Sequence, residues 1–148
     1  LALAYLFIFT YPGAPSIYYG DEIGLTGGKD PDCRKTFPWD ESDWNTDLRN
    51  QIKSFVALRN ANPVLRTGEY KVIYAQDGIV AYTRKNEEQT MLIVLNANDS
   101  PQTVTIPTGD IFSVGTKLTS QLSNHEFVVT ANGLEDLSLR CLSGLVLA

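Results

Sequence analysis

The sequence predicts an α/β plus all-β chain: the closing segment of an α/β barrel over residues 1–66, then an antiparallel β-sandwich over residues 67–148. Three observations carry this expectation. Gly13-Ala-Pro-Ser-Ile-Tyr-Tyr-Gly-Asp-Glu22 is a turn, a short apolar stretch and a glycine, followed at once by two acids. That order sets polar groups at the C-terminal end of a buried strand, where α/β barrels build their sites. A long amphipathic helix follows, and from Gly68 onward short apolar runs alternate with turn residues, the texture of a sandwich. A barrel takes about 250 residues, so a site-bearing strand near residue 20 reads as the last strand of a barrel that begins upstream.

The elements follow in order. Leu1–Tyr11 is apolar throughout and reads as the end of a buried helix, stopped by Pro12-Gly13. It opens on no capping residue and no Met, so the sequence is expected to start within an element. Pro15–Tyr19 reads as a buried strand. Residues 20–44 form a long loop rich in Gly, Asp and Pro, and loops of this length in compact domains usually carry function. Asn45–Asn62 is the clearest helix: Asn45 or Thr46 caps it, and Leu48, Ile52, Phe55 and Val56 share one face. Arg49, Lys53 and Arg59 are expected on its solvated side, and Asn62-Pro63 ends it. Strands are expected at Tyr70–Tyr74, Ile79–Arg84, Met91–Asn96, Thr103–Ile106, Phe127–Thr130, Leu134–Leu139 and Leu145–Leu147.

Composition excludes several classes. A net charge of −5 with scattered basic residues argues against nucleic acid or an anionic membrane as partner. Leu1–Phe9 lacks the marks of a signal peptide and is too short to span a bilayer. Cys33 and Cys141 lie far apart, have no zinc-ligand spacing and are expected to be separate reduced thiols. No metal or cofactor motif appears, and neither does a nucleophile elbow. His125 has no partner motif and reads as a surface residue. Asn98-Asp-Ser100 fits a glycosylation acceptor but equally fits the turn it occupies.

Chemistry therefore concentrates in the loop after the strand: Asp21, Glu22, Asp30, Asp32 and Arg34, with Lys29 and Lys35 beside them. A glycosidase needs two carboxylates at roughly 5 Å or 6.5–9.5 Å. Nothing in this spacing enforces that, so no catalytic pair is expected in the chain. Asp30 and Arg34, four apart, together offer an acceptor and a donor fork suited to sugar hydroxyls, or they simply tie the loop together. Phe37, Trp39 and Trp44 are expected to pack rather than to stack on sugar.

These residues carry a family likeness. Gly13–Glu22 resembles the segment around the eighth strand of the (β/α)8 (TIM) barrel in the α-amylase family, glycoside hydrolase family 13. Gly27-Gly-Lys-Asp-Pro-Asp-Cys-Arg-Lys35 and Phe37-Pro-Trp-Asp40 resemble its neopullulanase, cyclomaltodextrinase and maltogenic amylase group. Arg59–Glu69 resembles the join between the last barrel helix and the C-terminal sandwich. The resemblance implies a retaining α-glucan hydrolase whose three catalytic carboxylates precede Leu1, so the catalytic set is absent from this chain. It implies hydrolysis of α-1,4 links, and by extension α-1,6 links, in maltodextrins or cyclodextrins, in the cytoplasm and without a cofactor. Asp30 and Arg34 would contact sugar on the non-reducing side of the cleavage point, while Tyr18 and Tyr19 would be structural. The partners implied are an α-glucan and the N-terminal remainder of the enzyme.

Two other readings stand beside this one. The chain is a non-catalytic structural or carbohydrate-binding module, or it is one part of a split enzyme. In the split enzyme the apolar strips at Leu1–Tyr11 and Leu48–Val56 would otherwise be exposed, and oligomers or a missing partner are expected.

Overall fold

The computed structural model describes all residues, Leu1–Ala148. Three helices precede an all-antiparallel β region: α1 (Ala2–Thr10), α2 (Thr46–Ala61) and the single-turn α3 (Val64–Thr67). Three short 3₁₀ turns, Asp21–Ile23, Asp32–Arg34 and Glu41–Asp43, punctuate the loop between α1 and α2. Eight strands follow: β1 (Glu69–Gln76), β2 (Ile79–Lys85), β3 (Thr90–Asn96), β4 (Gln102–Ile106), β5 (Lys117–Thr119), β6 (Glu126–Val128), β7 (Leu134–Leu139) and β8 (Ser143–Leu147).

A four-stranded sheet in the order β1-β2-β3-β8 faces two small sheets, β4-β7 and β5-β6. Asp77 and Gly78, both at positive φ, make the two-residue hairpin that pairs Gln76 with Ile79. Two successive positive φ values define the turn whose twist matches a hairpin, and glycine takes the second position without strain. The pleat of the large sheet then sorts its side chains. Met91, Ile93 and Leu95 turn toward the helices, whereas Leu92 and Val94 turn toward the small sheets. A strand buried on both faces reads as one continuous apolar run, and Met91–Leu95 does.

Two cores result. The sandwich core gathers Ile79, Ala81, Leu92, Val94, Leu118, Leu137 and their neighbours. The other core joins α1, α2 and α3 to the outer face of the large sheet through Tyr5, Phe9, Ile52, Leu65, Tyr82 and Ile93. Val64 and Leu65, at the join of the helical and β parts, are fully buried. The join is therefore packed rather than a free linker.

Four expectations need correction. Pro15–Tyr19 forms no strand, and Ile17, Tyr18 and Tyr19 are exposed. A strand needs a neighbouring ladder, and every sheet of the chain lies beyond Gly68. The Leu48–Val56 strip is not bare: Leu48, Ile52 and Phe55 are buried in the core shared with α1. The strip on α1 is half covered, with Tyr5, Leu6 and Phe9 buried and Phe7, Ile8 and Tyr11 exposed. Finally, Arg59 does not lie on the solvated side of α2, since it is only 6% exposed. It lies four residues after Phe55 and seven after Ile52, on the buried face.

Candidate functional site

The loop between α1 and α2 is built from local turns and held by side chains. Asp21 closes against α1, its Oδ2 accepting from the Tyr5 hydroxyl at 2.8 Å. Burial, reinforced by this carboxylate, pushes the Tyr5 hydroxyl well above the ordinary tyrosine value. Glu22 folds back to accept the Gly20 N–H at 2.9 Å. Both acids following the tyrosine pair thus make structural contacts. Further on, the Tyr19 hydroxyl donates to the Lys35 carbonyl at 2.9 Å, and the Asn45 N–H donates to the Ile23 carbonyl at 3.0 Å. Asn45 also caps α2, its Oδ1 accepting from the Leu48 N–H at 3.0 Å.

Asp30 and Arg34 are brought together across the Asp32–Arg34 turn. Arg34 Nε lies 3.1 Å from Asp30 Oδ1, and Nη2 donates to Oδ2 at 3.4 Å. The side chains are 73% exposed for Arg34 and 64% for Asp30. An ion pair this exposed adds little to stability. It does hold two carboxylate oxygens and the unused guanidinium donors in one fixed fork open to solvent. Adjacent sugar hydroxyls, each both donor and acceptor, match that pattern.

Beside the fork lies a crevice of about 190 Å³ lined by Tyr18, Tyr19, Asp21, Gly27, Cys33 and Lys35. The Tyr18 and Tyr19 rings sit 4.8 Å apart. Cys33 and Cys141 are both free and exposed. Trp44 is tied down by an Nε1 hydrogen bond to the Pro38 carbonyl at 2.8 Å and by Arg49 over its ring at 4.8 Å. Trp39 is 84% exposed, which overturns the expectation that it packs; its ring meets Phe37 only at a tilt, 5.0 Å between centroids. No group of acids, histidines or cysteines in the structure is placed to hold a metal ion.

The structure also presents a pair of residues that sequence patterning does not single out. Arg59 Nη1 donates to the carbonyls of Phe9, Tyr11 and Leu65 at 2.8, 3.1 and 2.9 Å, and Nη2 donates to Gly13 O. Arg84, fully buried, donates through Nη1 to Thr10 O at 2.7 Å and Leu65 O at 2.8 Å, and through Nη2 to Gly68 O at 2.9 Å. Neither guanidinium has a carboxylate partner. The α1 helix has no basic residue in its own last turn. The two arginines satisfy its terminal carbonyls and meet the negative end of its dipole. Burial holds both guanidiniums below the ordinary arginine value. The signal for Arg84 is its register: Val80, Tyr82 and Arg84 share the sheet face that meets the helices.

Helices and an exposed Asp–Arg fork packed onto an antiparallel β-sandwich define a small, mostly β domain. Comparison with known proteins agrees. The family model of the neopullulanase-like C-terminal domain matches residues 70–146, and the chain belongs to this family. An amylopullulanase of Thermoanaerobacter thermohydrosulfuricus is 41% identical over 140 residues, 87% of this chain and 9% of that protein. A cyclomaltodextrinase of a Bacillus species is 43% identical over 106 residues, 70% of this chain and 19% of that protein. Among solved structures, Ttha1563 from Thermus thermophilus superposes with a TM-score of 0.90 at 36% identity, covering 99% of this chain and 30% of that one. An α-amylase of Geobacillus thermoleovorans, solved with acarbose, gives a TM-score of 0.88 at 29% identity, covering 99% and 32%. The chain thus spans only a small part of the curated relatives it matches, which are glycoside hydrolases of family 13.

Proposed function

We propose that residues 1–66 close a (β/α)8 barrel, that residues 67–148 are the sandwich attached to it, and that the whole enzyme is a retaining α-glucan hydrolase. On this reading it cleaves α-1,4 links, and α-1,6 links as a second class, in maltodextrins or cyclodextrins. The catalytic carboxylates lie on the upstream part, and Asp30 and Arg34 contribute sugar contacts beside the cleavage point. The observation that carries the reading is the Asp30–Arg34 fork, held open on an anchored loop. The names of the relatives, cyclomaltodextrinase and amylopullulanase among them, support the substrate class.

Further features fit. Pro15–Tyr19, without a ladder here, gains one between neighbouring barrel strands on this reading. The exposed side of α1, with Phe7, Ile8 and Tyr11, suits the upstream part of the barrel or a second subunit, because a helix apolar all round is one covered all round. Two exposed free thiols suit a reducing compartment such as the cytoplasm. A carbohydrate-binding module is the weaker reading. The exposed large apolar side chains of the sandwich are Val72, Val114, Leu122, Val128 and Leu142, none of them a ring on which a sugar stacks.

The test compares hydrolysis of maltoheptaose and β-cyclodextrin by the complete enzyme and by the 148-residue chain. The reading expects turnover by the first and none by the second. Hydrolysis by the chain alone, or an inert complete protein, contradicts it.

A further inference from the structure

We propose that Arg84 is a positioning residue for substrate binding, acting with Arg59 as a clamp on the end of α1 that sets the loop bearing Asp30 and Arg34. The inference rests on the reading of that fork as a sugar contact. Its basis is a set of hydrogen bonds that ties the sandwich to α1 and α1 to the loop. Arg84, on β2, grips Thr10 O, and Thr10 Oγ1 pairs with the Tyr82 hydroxyl on the same strand. Arg59 grips Tyr11 O and Gly13 O on either side of the Pro12 turn. Gly13 sits at φ +104°, where L side chains are strained and glycine is not, and the Arg59 bonds on either side of Pro12 hold the turn.

From there the chain runs to Tyr18 with no backbone hydrogen bonds of residues 14–17 within the chain. Its far end is tied back to α1 by Tyr5 on Asp21, and to the base of the fork by Tyr19 on the Lys35 carbonyl. A shift of α1 against the sandwich therefore passes to Asp21 and Lys35, and Lys35 is next to Arg34. Burying two guanidiniums without a carboxylate is costly, and Arg84 Nε is left without a hydrogen-bond partner. A clamp that fixes geometry accounts for their presence, and it gives the sandwich a part in substrate affinity.

The test measures kcat and KM for maltoheptaose, with thermal midpoints, in the complete enzyme carrying Arg84→Lys, Tyr5→Phe, Arg34→Ala and the pair Tyr5→Phe/Arg34→Ala. Lysine keeps the charge but cannot span Thr10 O, Leu65 O and Gly68 O with one rigid fork. The clamp predicts that Arg84→Lys and Tyr5→Phe each raise KM roughly threefold to tenfold with kcat nearly unchanged. It also predicts that Tyr5→Phe adds little once Arg34 is gone, since no contact remains to be misplaced. Lower thermal midpoints with unchanged KM in both single variants overturn the clamp and leave the arginines structural. If Arg84→Lys does not fold, Arg59→Lys, which loosens the same end of α1, takes its place: a raised KM supports the clamp and an unchanged KM overturns it. An Arg34→Ala enzyme with unchanged KM removes the sugar-contact reading itself, and the clamp with it.

Discussion

Arg59 and Arg84 donate to one and the same acceptor, the Leu65 carbonyl, at 2.9 and 2.8 Å. One comes from α2 and the other from β2, and the carbonyl between them belongs to α3. The three elements that join the helical part to the sandwich thus meet at a single oxygen, and the same Nη1 atoms also reach the end of α1, at Phe9 O and Thr10 O, while the Nη2 arms go to Gly13 O and Gly68 O.

Sharing an acceptor makes the two arginines energetically dependent. Arg59→Met keeps an aliphatic stem but strips the donors from Phe9, Tyr11 and Gly13, and the loss expected in denaturant unfolding is about 3 kcal/mol. Arg84→Met is expected to cost a similar amount. The double variant should lose more than the sum, with a coupling of roughly 1 kcal/mol, because either arginine alone still satisfies the Leu65 carbonyl. Strict additivity in the unfolding series contradicts the shared-acceptor geometry.

Leu65 is fully buried and belongs to the core that spans helices and sheet. Leu65→Ala is expected to destabilise by about 3 kcal/mol through lost burial and a residual cavity. The loss should appear in the helical signal and in the sandwich together, because one core serves both. Circular dichroism and tryptophan fluorescence report the two parts, Trp39 and Trp44 lying on the helical side; separate midpoints would show that the join is not cooperative.

How much of this is legible in the sequence follows from what each signal measures. β7 reads at its observed bounds, and α2 with its Asn45 cap, because cap chemistry and periodicity are local. Pro15–Tyr19 has the composition of a strand but no partner within the chain, and pairing is not a local property. β5 is three residues long, too short to show a period. Arg59 misleads because its charge suggests solvent, although its spacing from Ile52 and Phe55 places it inside. Asp30 and Arg34 are visible as a pair because four residues of turn bring them within reach; their openness to solvent is not. Trp39 is expected to pack by its type, yet the turn places it outward.

Two buried tyrosines give the protein an alkaline limit. Burial, with Asp21 second for Tyr5, holds the hydroxyls of Tyr5 and Tyr82 above the ordinary value. For an acid whose folded value is raised, stability is intact below the unfolded value. It declines as pH rises through that value, near about 10. Ultraviolet titration should show these two tyrosines ionising only as the protein unfolds, with Tyr5→Phe removing one of the late protons. Free ionisation of all tyrosines in the folded state contradicts their burial.

The Asp30–Arg34 pair should separate stability from binding. Because the pair is exposed, Asp30→Ala and Arg34→Ala are expected to change unfolding free energy by less than about 1 kcal/mol. A larger loss in calorimetry would mean that the pair ties the loop together.

The most direct test of the account is the steady-state KM of the complete enzyme for maltoheptaose, wild type against Arg34→Ala. A sugar contact made through a charged fork predicts a rise of roughly tenfold or more at an unchanged thermal midpoint. An unchanged KM would contradict the account and leave the pair as a surface ion pair.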